Sequence, residues 1–147
     1  MTAIWKQDTS LDRLNGWSAN TMMEALGIRF TAVGDDWLAG SMPVDQRTHQ
    51  PYGLLHGGAS VALAETLGST AAMLTLDPEK ELAVGLDINA NHIRGVRSGT
   101  VTGTAKALHI GRTTQVWEIR IENEEGALVC ISRITMAVIP ARGMGVR

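Results

Sequence analysis

Gly57 to Leu76 reads Gly-Gly-Ala-Ser-Val-Ala-Leu-Ala-Glu-Thr-Leu-Gly-Ser-Thr-Ala-Ala-Met-Leu-Thr-Leu, and its only ionisable side chain is Glu65. At ~1.5 Å per residue the stretch makes a helix about 30 Å long. It is apolar on every side, and such a helix lies inside a protein core or a membrane. Glu65, three glycines, several hydroxyls and the absence of flanking cationic anchors exclude the membrane. The stretch therefore predicts a central, buried helix.

On the N-terminal side, Ser10 to Leu26 is loosely helical, with Ser10 as a cap, Leu11, Leu14, Trp17, Met22 and Leu26 as apolar positions, and Gly27 at its end. Ile28–Val33 and Trp37–Val44 read as two strands joined at Gly34-Asp35-Asp36. Asp45 to Tyr52 is polar, carries Pro51, and reads as a loop. Beyond Asp77-Pro78 the chain is strand-like: Leu82–Ile93, Gly99–Ile110, Thr113–Glu122 and Ala127–Ile139. Trp117, Ile119 and Ile121 alternate with Glu118 and Arg120, the pattern of a half-buried strand. Short links between these strands favour an antiparallel meander. The expected fold class is α+β, an antiparallel sheet curled around one long helix.

The 147 residues fit a single domain, residues 1–147, with no linker and no internal repeat. Hydrophobic residues make up 44%, enough for a core, and 19% are charged, which argues against disorder. The net charge of −2 provides no global basic field for nucleic acid. One cysteine, Cys130, excludes an internal disulfide and a cysteine metal cage, and the four dispersed histidines give metal binding little support. The first residues lack a signal-peptide pattern, so a cytoplasmic location with neither membrane nor nucleic-acid partner is expected. Six aromatic residues (four Trp, one Tyr, one Phe) against 16 glycines imply an aliphatic core closely approached by backbone.

The chemistry gathers around the start of the helix. His56 precedes Gly57-Gly58, and the first amides of a helix lack intrahelical partners and sit at its positive end. Glycine lets a substrate approach those amides, so they can hold a polarised carbonyl oxygen. Glu65 lies about two turns further in. A carboxylate desolvated there without a cationic partner suits a general base working near neutral pH. Ser69, one turn on, is spaced to reach that carboxylate or an attacking water. His56 can hydrogen-bond a substrate carbonyl or orient the loop, and Gln50 is a neutral donor in the same loop. Arg94, Arg97, His92 and Arg112 are candidate partners for phosphates, each equally readable as a solvated surface charge. Gly85, inside a strand, fits close ligand approach. The phosphate-binding glycine motifs, the nucleophile elbow and the zinc helix motif are absent from the sequence.

Gln50…His56-Gly57-Gly58-Ala59…Glu65, followed by Asn89-Ala90-Asn91-His92-Ile93-Arg94 and His109-Ile110-Gly111-Arg112…Val116-Trp117, resembles the hotdog-fold acyl-CoA thioesterases. Within them the pattern is similar to the phenylacetate-type group, close to the 1,4-dihydroxy-2-naphthoyl-CoA thioesterases and the siderophore-pathway proofreading thioesterases. The resemblance runs from about Trp5 to Val138; Thr2-Ala3 and the tail from Pro140 to Arg147 have no clear counterpart.

The resemblance implies hydrolysis of an acyl- or aroyl-CoA thioester, aromatic acyl groups favoured, with coenzyme A as part of the substrate and no cofactor or metal. It makes Glu65 the general base or nucleophile and Gly57 the oxyanion amide, with Gln50 and His56 near the thioester and Ser69 positioning water or the acyl group. It places nucleotide and pantetheine contacts at His92, Ile93, Arg94 and Gly95, at His109, Ile110, Gly111 and Arg112, and at Gly85. It also implies a homo-oligomer: a dimer whose sites are shared, Glu65 of one chain facing Gly57 and Gln50 of the next, assembled as a dimer of dimers. The weighed alternatives are an enoyl-CoA hydratase of the same fold, a non-catalytic acyl-CoA-binding module, and a carrier protein in place of coenzyme A.

Overall fold

The computed structural model describes residues 1–142. In chain order it contains α1 (Leu11–Gly16), α2 (Met22–Leu26), β1 (Arg29–Val33), β2 (Trp37–Pro43), α3 (Gly57–Leu74), β3 (Glu81–His92), β4 (Thr100–Ile110), β5 (Thr114–Glu122) and β6 (Leu128–Pro140). The strands form one antiparallel sheet in the order β1-β2-β4-β5-β6-β3, and α3 packs against β2, β3, β4, β5 and β6.

Three features differ from the sequence reading. Ser10 to Leu26 is two short helices, because the chain breaks at Trp17–Thr21, where Asn20 adopts φ 60°. Gly27 does end α2 in the left-handed conformation, φ 72°. The later strands are not a simple meander: β4, β5 and β6 follow one another, but β3 pairs with β6 on the far side. The cause is α3, which follows β2, packs across β4, β5 and β6 and delivers the chain to the opposite edge. A sheet wrapped on one helix predicts an outer apolar face for subunit pairing, but Lys106, Glu118 and Arg133 stand side by side across β4, β5 and β6.

Glycines set how closely α3 approaches the sheet. A β-carbon at Gly68 would stand 2.6 Å from Ile134 Cγ2, and one at Gly40 or Gly103 would stand 2.7 Å from a Leu67 methyl. Leu63, Leu67, Leu74, Ile119, Ile121, Ile134 and Trp117 are fully enclosed in the resulting core. Each such side chain contributes about 1.5–3 kcal/mol on burial.

The far end of α3 is held by the N-terminal segment. Lys6 N–H donates to the Leu74 carbonyl (2.8 Å), and Gln7 Nε2 donates to Met73 O (2.8 Å) and Leu76 O (3.0 Å). These bonds tie the last turn of α3, and Leu76 just beyond it, to the start of the chain. Trp5 stacks on Trp117 at 6.2 Å. Beneath them Trp117 Nε1 donates to Gln115 Oε1, and Gln115 Nε2 to Thr75 Oγ1, both at 2.9 Å.

Candidate active site

The loop before α3 is tied down by backbone bonds. His56 N–H donates to Thr48 O and Leu55 N–H to Val96 O, each at 2.7 Å. His56 then caps the helix: its Nδ1 accepts the Gly58 N–H at 2.8 Å. A ring nitrogen that accepts carries no proton, so the neutral ring presents Nε2–H outward. Of the two glycine amides foreseen as donors, Gly58 is therefore engaged by His56. Gly57 N–H, the first of the helix, has no partner among the described residues.

Gln50 is arranged to donate. Its Oε1 accepts the Tyr52 N–H at 2.5 Å, leaving the Nε2 amide group for a ligand. Gln50, Gly57, Ser60, His92, Ile93, Arg94 and Gly95 line one cleft of about 280 Å³ at the helix N-terminus. The His92 ring lies directly against Gly57, where any β-carbon would meet Nε2 at 2.9 Å.

Glu65 occupies a different surface. It is half-buried rather than enclosed, since the flank of α3 formed by Val61, Ala62, Glu65, Thr66 and Ser69 is left uncovered by this chain. With Met22, Met23, Gly58 and Thr70 these residues line a groove of about 430 Å³. The carboxylate rests on β3, with Oε1 2.9 Å from where a Gly85 β-carbon would stand. Gly85 thus admits the chain's own Glu65. Ser69 Oγ contacts Met136 Sδ at 3.8 Å and leaves Glu65 unbound.

One chain does not bring all the predicted residues together. Gly57 and Glu65 are eight positions apart on α3, about 12 Å along its axis. The two candidate nucleotide segments lie at opposite ends of the sheet. His92 pairs with Cys130, whereas Ile110 pairs with Gln115, Gln115 with Met136, and Met136 with Gly85. Gly85 and His92 are seven positions apart on β3, roughly 20 Å. His109 to Arg112 therefore belong to the Glu65 end and His92 to Gly95 to the Gly57 end. Arg94 and Arg112 are both solvent-exposed cations, and Ile93 and Ile110 are 57% and 45% exposed.

Sequence reasoning passed over Ser60, Met22 and Met23, which line these two spaces. Their signal was present for Ser60, which follows Gly57 by three positions on the same helical face. Among the described residues, no three His, Cys, Asp or Glu side chains gather as metal ligands, and no helix is long and apolar enough to cross a membrane.

The sequence profile of the Thioesterase superfamily matches residues 52–130. The chain belongs to that superfamily. It has the hotdog fold and is a thioester hydrolase. It is 52% identical over 136 residues to the 1,4-dihydroxy-2-naphthoyl-CoA hydrolase of Escherichia coli, covering 92% of this chain and 99% of that one. It is likewise 52% identical over 136 residues to the proofreading thioesterase EntH of Cronobacter sakazakii, covering 92% and 98%. A crystal structure of a mutant thioesterase PA1618 from Pseudomonas aeruginosa superposes with a TM-score of 0.92 at 54% identity, covering 94% of this chain and 99% of that one.

Proposed function

We propose that this thioesterase hydrolyses acyl-CoA thioesters, aromatic acyl groups favoured, at a site completed by two copies of the chain. The observation that carries the reading is the half-buried Glu65 carboxylate on an otherwise uncharged helix that opens with an unpaired Gly57 amide. Water adds to the thioester carbonyl as Glu65 takes its proton, or Glu65 adds first and water then cleaves the resulting anhydride. In both routes the C–S bond breaks, the thiolate leaves and is protonated, and the acyl group departs as the free acid. The developing oxyanion is held by Gly57 N–H at the positive end of α3. Gln50 Nε2 is the neutral donor in the same cleft, His56, which lines the neighbouring space with Gly58 and Ala62, is a second neutral donor, and Ser69 orients the water or the acyl group.

The shared site follows from reach. An amide and a carboxylate about 12 Å apart on one helix cannot serve one carbon atom. A second copy running antiparallel would set Glu65 of one chain against Gly57 and Gln50 of the other. Such a dimer also brings the two ends of the sheet toward one substrate, so that Arg94 and Arg112 can meet the coenzyme A phosphates from both sides with His92, Ile93, Gly95, His109, Ile110 and Gly111. The exposed edge strand β3 and the uncovered flank of α3 are the surfaces such a dimer would cover. The fuller assembly proposed is a dimer of dimers acting in the cytoplasm as one 147-residue domain, without cofactor or metal.

The apolar groove beside Glu65, with two thioether side chains on its rim, has the volume and surface for an aryl ring. The relative named for an aromatic CoA thioester supports the same preference. The test is thiol release from benzoyl-CoA and straight-chain acyl-CoA substrates by wild type, Glu65→Gln and Glu65→Ala. Loss of at least ~10³ in kcat is expected for both variants. Retention of most activity, or a monomeric mass at micromolar concentration, would overturn the assignment.

A further inference from the structure

The cleft that holds the Gly57 amide also contains a hydroxyl to which no role has been given. Ser60 is 2% exposed, yet its Oγ makes no hydrogen bond to any described residue. Buried hydroxyls are ordinarily paired, and leaving one unpaired costs about 1–3 kcal/mol. Thr66, on the same helix, shows the usual pairing: its Oγ1 donates to Ala62 O at 2.7 Å. Ser60 does not bond back to its own helix in this way. Nor is its oxygen sealed from solvent, since Ser18 Oγ is the only fully enclosed side-chain oxygen without a partner among the described residues. The free hydroxyl therefore opens onto the cleft.

Its direction follows from helix geometry. Residues three apart share a face, and side chains on a helix tilt toward its N-terminus. Ser60 thus leans over the turn that begins at Gly57, within about 5.4 Å of that amide along the axis. Gly57 has no side chain to cover it. A β-carbon there would also press on the His92 ring, so the bare glycine keeps both the amide and the hydroxyl open to one ligand atom.

We infer that Ser60 is a second oxyanion donor: its O–H and the Gly57 N–H together hold the thioester carbonyl oxygen. This rests on the thioesterase reading above and adds a catalytic residue to it. The hydroxyl donates a hydrogen bond only, so no covalent step passes through it. A donor aimed at charge that develops in the transition state raises kcat more than it tightens substrate binding.

The experiment measures kcat, KM and thermal midpoint for Ser60→Ala and Ser60→Cys with an acyl-CoA substrate, alongside wild type and Glu65→Gln. Cysteine keeps the size of the side chain but donates weakly, which separates hydrogen bonding from packing. The expected result is a fall in kcat of about 10–100-fold in both variants, with KM within about two-fold of wild type and the midpoint nearly unmoved. Unchanged kcat in either variant overturns the inference. So does a fall in kcat that tracks a large fall in midpoint, which would assign Ser60 to packing. A wild type that releases no thiol refutes the thioesterase reading itself, whereas an active wild type with an inactive Glu65→Gln and a fully active Ser60→Ala removes only the second donor.

Discussion

Replacing Gly85 with alanine separates catalysis from stability, because the two should move in opposite directions. The new β-carbon would stand 2.9 Å from Glu65 Oε1, and ordinary contact begins at 3.4 Å, so the carboxylate must retreat by about 3.4 − 2.9 = 0.5 Å. Its way out is the open groove beside Met22 and Met23. Displacements of this order in a reacting group cost about ten-fold or more in rate, since an error of ~1 Å can cost ~100-fold. A ten-fold loss in kcat is about 1.4 kcal/mol of transition-state stabilisation. The backbone at Gly85 is not in the left-handed region, so alanine can adopt it without strain. Removing a glycine from the unfolded chain then favours folding by about 0.4–1 kcal/mol. Steady-state thiol release and a thermal melt on the same preparation read both quantities. In a Glu65→Gln background the Gly85→Ala change should cost little further activity, because the two act on one group. Wild-type kcat in the single variant, or full additivity in the double one, would refute the contact between Gly85 and a working Glu65.

Two further outcomes test other parts of the structure. Gly68→Ala should destabilise by about 1–3 kcal/mol despite alanine's better helix propensity, because the added carbon meets buried Ile134 Cγ2 at 2.6 Å and neither side can move; chemical denaturation reads this. Asp45 is held down to about 2 by hydrogen bonds and charge from Arg47, so its carboxyl should titrate there by NMR and return toward 3.8 in Arg47→Ala. Its folded value is depressed, so the pair contributes stability above the unfolded value and loses it as pH falls toward 2.

Much of the fold is legible in the sequence because its signals are local. The uniformly apolar Gly57–Leu76 stretch specifies a buried helix without reference to any partner, and the structure forms it over Gly57–Leu74. Alternation across Trp117–Ile121 specifies which side of β5 faces the core, since a strand's side chains repeat with period two. The Gly34-Asp35-Asp36 turn is local as well, and Gly34 N–H closes it on Trp37 O at 2.9 Å. The partner of β3 is not local: α3 carries the chain across the sheet, and only the folded chain brings β3 beside β6.

The same division runs through the candidate site. Residue type and spacing single out Glu65 and Gly57, because a lone carboxylate in an apolar helix and a glycine-opened N-terminus are properties of the chain alone; the resemblance to the thioesterases adds His56, Gln50 and Ser69. Contacts made across long separations decide what those groups can do. His56 takes the Gly58 amide and leaves Gly57 open. Gly85 receives Glu65, and Gln7 caps a helix whose last carbonyls lie 66 positions or more away. Ser60 reads as an ordinary small residue until the fold shows it buried at the edge of the cleft beside the open amide, its hydroxyl without a partner among the described residues. A sequence determines which groups a helix carries and on which face; only the folded chain determines which of them remain unpaired, since pairing depends on what the rest of the molecule brings within reach.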